Sequence, residues 1–184
     1  MESFSFLPFQ NLESTRLLLR QMNYSDVDGV FALRGNPENM KYIPRPLLKS
    51  RVEAMELIDT INQKIEKNEG INWAIIEKSS GVFIGFLGHY RIQWAHSRSE
   101  IGYMFLPEAQ GKGYATEAVE LIVKYGFEQM KMHSLEAVID PANTGSARVL
   151  EKNHFVKEAH IRENEFFEGK YWDSVIYSLL KKDL

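Results

Sequence analysis

Apolar residues recur along this chain at two different periods, and the changes of period mark its elements. Leu17 and Leu19 share one face of an extended stretch while Arg16, Leu18 and Arg20 share the other, which predicts a strand over about 15–21 with both arginines on its solvent face. Ser25-Asp26 predicts the cap of a short helix running to about Leu33. Asn36-Pro37, Pro44 and Pro46 then interrupt the chain. Ser50-x-x-Glu53 has capping-box spacing, and Met55, Ile58, Ile61 and Ile65 supply the apolar stripe of the helix it opens. Two strands follow at about 71–78 and 82–94, turned at Ser79-Ser80-Gly81, and a third at 98–106. Ala118, Leu121, Ile122, Tyr125 and Met130 fall at helical steps and predict a helix ending near Met130. A strand at 134–140, a helix at 144–153 and strands near 154–163 and 171–181 complete an α+β pattern, with the polar segment Glu163–Gly169 expected to be a loop.

Nothing divides the 184 residues, so one domain spanning 1–184 is expected, long enough to bury a substantial core. Hydrophobic residues make up 44% and charged residues 26%, as in ordinary globular chains. No apolar run reaches membrane-spanning length, and Met1-Glu2-Ser3-Phe4 lacks the basic start of a secretion signal, so a cytoplasmic protein without a membrane partner is expected. Cysteine is absent, which excludes disulfides, thiolate zinc sites and a cysteine nucleophile. The histidines are scattered without metal-ligand spacing, and no metal is expected. A net charge of −3 with both signs interspersed argues against nucleic acid as the main partner.

The most informative stretch is Gln110-Gly111-Lys112-Gly113-Tyr114-Ala115-Thr116-Glu117-Ala118, between a predicted strand and a predicted helix. A glycine turn there leaves amide N–H groups unpaired at the positive end of a helix, which suits phosphate or diphosphate. Gly111 and Gly113 permit positive φ and a close approach to an anion, and Lys112 adds charge. The Walker A pattern is absent from the chain. The dinucleotide fingerprint fails as well, because Glu117 stands where a small residue would close helix against sheet. A glycine turn without any ligand remains the bland alternative.

Gln110-x-x-Gly113-x-Ala115 resembles the Q/R-x-x-G-x-G/A signature of the GNAT superfamily of acetyl-CoA-dependent N-acetyltransferases. Glu100-Ile101-Gly102-Tyr103 with Pro107, then Asn143-x-x-Ser146-x-x-Val149-Leu150-Glu151-Lys152-x-x-Phe155, resemble the branch containing the ribosomal-protein N-terminal acetyltransferases. Leu12–Arg20 and Asp173–Leu180 resemble that branch's first and last strands. The resemblance implies a mostly antiparallel sheet of about seven strands with one splayed parallel pair, flanked by about four helices. It implies acetyl-CoA as co-substrate and direct transfer to a primary amine. Main-chain groups of Met104, Phe105 and Leu106 would hold the pantetheine arm, and Gln110, Gly111, Lys112, Gly113, Tyr114, Ala115 and Thr116 the diphosphate. Asn143 and Ser146 would lie beside pantetheine and sulfur, although residue chemistry alone reads Asn143 as a helix cap.

Two departures follow from the same comparison. Leu150 stands where many relatives carry a tyrosine that protonates the thiolate, leaving Ser146 as the proposed partner of the leaving sulfur. His154 replaces a glycine before Phe155, so Asn153 or His154 must accept a left-handed helix end. For the general base Glu100 is weighed evenly against a plain surface ion pair, with His89, Tyr90 and His96 as alternatives. The acceptor groove is expected from Asn39–Arg45, Tyr90–His96 and Glu163–Tyr171, while Trp73, Trp94 and Trp172 are read as packing residues. A peptide or protein N-terminus, a polyamine and an aminoglycoside all remain as acceptors. A non-catalytic acyl-CoA-binding module and a nucleotide-binding domain are the readings from other classes, and a homodimer is allowed.

Overall fold

The computed structural model describes residues 4–184; the first three residues, read above as lacking a basic leader, lie outside the described residues. Eight strands form one sheet in the order β1-β2-β3-β4-β5-β6-β8-β7. They are β1 Leu12–Glu13, β2 Leu17–Gln21, β3 Ile71–Glu77, β4 Val82–Gln93, β5 Arg98–Phe105, β6 Ser134–Ile139, β7 Val156–Phe167 and β8 Lys170–Leu180. Among the described residues five α-helices accompany them: α1 Val27–Arg34, α2 Pro37–Met40, α3 Arg51–Glu66, α4 Tyr114–Glu128 and α5 Thr144–Lys152. The expected α+β sheet is present, with one more strand (β1) and one more helix (α2) than the resemblance implied.

Residues 71–76 of β3 are all buried, so the middle of the sheet is covered on both faces. On one face Trp73 meets Tyr125 of α4 edge-on, with ring centroids 5.0 Å apart, and its indole N–H donates to the Gln10 carbonyl at 2.8 Å. Ala74 and Ile76 point the other way. In α3 the buried stripe is Ala54, Ile58, Ile61 and Ile65; Met55 lies one step off it and is exposed. Ser50 caps α3 by accepting from the Glu53 amide at 3.2 Å. Glu53 returns its bond to the amide of Lys49, one residue before the cap, at 2.8 Å.

Three expectations are corrected here. Glu163–Gly169 is not a loop: strands β7 and β8 stay paired to a two-residue turn at Glu168-Gly169, both at positive φ, as a tight hairpin turn requires. Phe166 and Tyr171 pair across the exposed hairpin with centroids 4.9 Å apart, while half-buried Glu165 pairs with Arg45. Arg16 and Arg20 do not simply meet water. Arg20 forks onto buried Asp26 at 2.7 and 2.8 Å, and Arg16 reaches the glycine loop. Asp26 stands at the N-cap of α1 as expected, but its side chain is spent on that ion pair and on a turn capped by Asn23, so the cap bond expected for α1 is not made.

The sheet feature that matters most lies between β5 and β6. They run parallel and pair only from Arg98↔Ser134 to Glu100↔Glu136. Beyond Glu100, β5 continues against β4 alone, and β6 continues against β8 alone. Residues 101–105 thus keep one main-chain edge without a strand partner, and a gap opens in the middle of the sheet.

Candidate active site

The glycine loop stands at the mouth of that gap. Gly111 and Gly113 have φ of 73° and 81°, and Gly113 is the N-cap of α4. No side chain caps this helix, so its first-turn amides keep their donors for another acceptor. A Cβ on Gly111 would point into open space, so conformation rather than crowding requires glycine there. Arg16 braces the loop from behind: its guanidinium donates to the Lys112 carbonyl at 2.9 Å and lies 4.5 Å from the centre of the Tyr114 ring. It also pairs with Glu117 at 2.5 Å. Burial opposes ionisation of Glu117, but hydrogen bonds from Ser14 and Arg16 outweigh it and hold this carboxyl below its usual range. Arg16 therefore neutralises an anion that would otherwise repel a phosphate at the helix start.

Two clefts adjoin the gap. One, of about 660 Å³, runs along the loop and the start of α5, with Met104, Phe105, Gln110, Gly111, Gly113 and Thr116 in its wall. Tyr114, Ala115, Asn143 and Ser146 line it too. Leu106 and Lys112 are not in its wall. The Leu106 amide is spent on the Ile84 carbonyl at 2.9 Å, and Lys112 takes part through its carbonyl bond to Arg16. Gln110 turns back to donate to the Phe105 carbonyl at 3.2 Å. Asn143 caps α5 by accepting from the Ser146 amide at 3.1 Å, as residue chemistry alone had suggested. Its place in the cleft wall is compatible with a second contact.

The other cleft, of about 540 Å³, holds Glu100 together with Tyr90, Arg91, Arg45, Glu165 and Trp172. Both volumes lie in the range of small-molecule sites. The clefts share Tyr42, Ile43, Tyr103, Met104, Asn143 and Ser146, so they meet where β5 and β6 part. The Tyr103 hydroxyl spans this junction and donates to the Ser146 carbonyl at 3.2 Å. Burial raises the Tyr103 hydroxyl well above its ordinary value, keeping it a neutral donor.

Glu100 has a half-buried carboxylate 2.8 Å from Arg91. Burial is the largest influence and raises its pKa, with Glu136 adding to the rise and Arg91 opposing it. His89 is excluded as a base. It is fully buried, its Nε2 lies 2.8 Å from the Ile122 carbonyl, and its Nδ1 lies 2.9 Å from the Ser99 hydroxyl. Only a proton on Nε2 satisfies that carbonyl, and burial drives the pKa down to about 4. Tyr90 is turned to the Asn72 amide, and its pKa is pushed up to about 12 by burial. His96 sits in the turn after β4, outside both clefts. His154 takes the left-handed position with φ of 65° at the end of α5, as expected of Asn153 or His154.

Sequence reasoning missed three residues of these walls. Arg34 lines the Glu100 cleft, and its Nε is buried without a hydrogen-bond partner among the described residues. Trp172, read as packing, lines the same cleft with its indole N–H equally unpartnered among those residues. Trp73 and Trp94 do pack or hydrogen-bond locally as expected. Tyr103 was quoted only within a motif. Arg34 ends a helix and Tyr103 reads as an ordinary strand aromatic, so neither carries a local signal.

Family comparison agrees with this geometry. Residues 16–156 match the family model described as Acetyltransferase (GNAT) domain. The chain belongs to this GNAT acetyltransferase family. It is 32% identical over 173 residues to the uncharacterized N-acetyltransferase YoaA of Bacillus subtilis, covering 94% of this chain and 98% of that relative. The acetyltransferase also shares its fold with spermidine N-acetyltransferase from Vibrio cholerae in complex with CoA and spermine, at 24% identity and TM-score 0.81, covering 92% and 98% of the two chains. The same holds for ribosomal-protein-S5-alanine acetyltransferase from Vibrio fischeri, at 21% identity and TM-score 0.83, covering 95% and 98%. CoA binding is typical of this family, and the chain is an N-acetyltransferase. No helix of the described residues is long and apolar enough to cross a membrane.

Proposed function

We propose that this acetyltransferase moves the acetyl group of acetyl-CoA directly to the N-terminal amine of a peptide or protein, in the cytoplasm. One observation carries the reading: the cleft beneath the uncapped start of α4 and the cleft holding Glu100 meet where β5 and β6 separate. The residues suit the co-substrate, because two positive-φ glycines and free first-turn amides form an anion cradle and the unpaired edge of β5 offers main-chain groups to an amide-bearing arm. Acetyl-CoA supplies a thioester activated for attack.

Main-chain amides from Gly111 to Thr116 take the diphosphate, and the open edge at Met104 and Phe105 holds the arm and the thioester carbonyl. Asn143 adds a contact at the start of α5. Glu100 receives the ammonium proton through water, and its raised pKa brings it closer to the amine's own range. The free amine then attacks the carbonyl carbon, the carbonyl oxygen gains the negative charge, and β5 donors stabilise it. As the C–S bond breaks, the adduct's nitrogen gives up its second proton through water to the departing thiolate, which the hydroxyl of Ser146 hydrogen-bonds, and CoA-SH leaves. No acyl-enzyme forms, in keeping with the absence of cysteine.

The Glu100 cleft supports a peptide acceptor over a polyamine because it presents donors as well as carboxylates: Arg34 and Trp172 have N–H groups to offer, and a polyamine has no oxygen to meet them. The test is CoA-SH release with peptide N-termini, polyamines and aminoglycosides. Peptides should give the highest kcat/KM. A polyamine or aminoglycoside preferred over every peptide would overturn the acceptor assignment, and cofactor binding without release across the panel would favour an acyl-CoA-binding module.

A further inference from the structure

The charged side chains of the Glu100 cleft are ion-paired, hydrogen-bonded or exposed to water except at one place. Arg45 is joined to Glu165, Arg91 to Glu100, and Asp173 to His160. Asp140 accepts from the Ala142 amide at 2.7 Å. Lys64 and Glu69 lie exposed at the solvent edge, where water satisfies them. Arg34 differs from all of these. It takes part in none of the ion pairs among the described residues, and its Nε is shut away from solvent without an acceptor. Trp172, on the same cleft wall, carries a second buried N–H in the same condition.

A guanidinium stays charged in any protein, and withdrawing it from water without a partner is costly. Leaving its Nε–H shut from solvent without an acceptor, in a half-buried side chain on the cleft wall, makes sense when the partner arrives with the substrate. A neutral carbonyl would meet the donors but leave the charge uncompensated, and a carboxylate answers both. Arg34 is close enough to Tyr90 for each to influence the other's ionisation, and Tyr90 sits opposite Glu100 in the sheet. Arg34 and Glu100 thus line the same cleft, so an acceptor whose amine reaches Glu100 can offer a group on an adjoining residue to Arg34.

We propose that Arg34, assisted by the Trp172 N–H, binds a carboxylate on the acceptor, so that the preferred substrates are peptide N-termini with an acidic side chain at the second residue. This rests on the peptide-acceptor reading above and narrows it.

The experiment compares two amidated tetrapeptides, Ser-Asp-Ala-Ala and Ser-Asn-Ala-Ala, with spermidine, on wild type, Arg34→Met, Arg34→Lys and Trp172→Phe. Wild type should use the Asp peptide with a kcat/KM about tenfold to a hundredfold above the Asn peptide, the size of a charge-assisted hydrogen bond. Arg34→Met should abolish the gap, Arg34→Lys keep part of it, and Trp172→Phe narrow it, all with unchanged CoA affinity by calorimetry. Equal use of the two peptides by wild type, or a gap that survives Arg34→Met, overturns the assignment while leaving N-terminal acetylation standing. Turnover of spermidine but neither peptide removes the peptide reading and this inference together. Should Arg34→Met fail to fold, the wild-type peptide pair and Trp172→Phe decide the matter.

Discussion

Replacing His89 with glutamine separates a structural histidine from a catalytic one. In the folded protein the ring is neutral, with Nε2–H on the Ile122 carbonyl and Nδ1 accepting from Ser99, amid Trp73 and Tyr125. Burial takes its pKa from 6.5 to about 4, so between those values the unfolded chain binds a proton that the native state refuses. The native pKa is depressed, and stability is therefore lost as pH falls from about 6.5 towards 4. That difference corresponds to about 3 kcal/mol of lost stability near pH 4. Against a typical domain stability of about 5–15 kcal/mol this is a large share. The assay is urea unfolding from pH 8 to pH 4.5 for wild type and His89→Gln. Carboxylates act equally in both proteins, so the wild-type excess in acid sensitivity isolates the imidazole. Glutamine keeps a donor for Ile122 but loses the ring packed against Trp73 and Tyr125, so the variant is less stable at pH 8, loses that extra acid sensitivity, and retains kcat within about threefold once folded. Parallel stability curves for the two proteins would refute the buried neutral ring. A folded variant with intact CoA binding and no turnover would restore His89 as the base.

Glu100→Gln should lower kcat by about a hundredfold or more with little change in the KM for acetyl-CoA, the scale of a lost general base. Because burial raises the Glu100 pKa, wild-type activity should climb with pH along an acid limb above the usual carboxylate range, and the variant should lose that limb in a pH–rate profile. Arg16→Ala removes the guanidinium from Glu117 and from the Lys112 carbonyl, leaving Glu117 only its Ser14 and main-chain donors; CoA should bind about tenfold more weakly in calorimetry, while the half-exposed pair contributes no more than about 1 kcal/mol to stability in a melt. An unchanged CoA affinity would show that Glu117 does not oppose the bound anion.

What the sequence disclosed and what it hid divide along the range of the interactions. The glycine loop was legible because its signal is local: strand, two glycines and amphipathic helix are contiguous, and both glycines do take positive φ. The β3–β4 hairpin and the left-handed end of α5 were legible for the same reason. The hairpin at 163–169 was not, because its composition reads as solvent-facing loop and only the pairing with β8 reveals two faces. Arg16 and Arg20 alternate with leucines as any surface strand would, and their partners Glu117 and Asp26 are set by the fold. Helix α3 shows how a one-residue error arises: Met55 and Ala54 both fit the apolar period, and only packing selects the smaller one. Arg34 became informative when a cleft formed around it and left it without a counter-charge.

The most direct test of the whole account is isothermal titration of acetyl-CoA into wild type and Gly113→Val. A β-branched side chain resists the φ of 81° at that N-cap, and its Cβ would lie 3.5 Å from the Arg16 guanidinium that braces the loop. One site per chain in wild type, weakened at least about tenfold in a variant that still melts cooperatively, is the expected result. No binding heat with wild type, or equal affinity in the two proteins, would contradict a cofactor held by the start of α4.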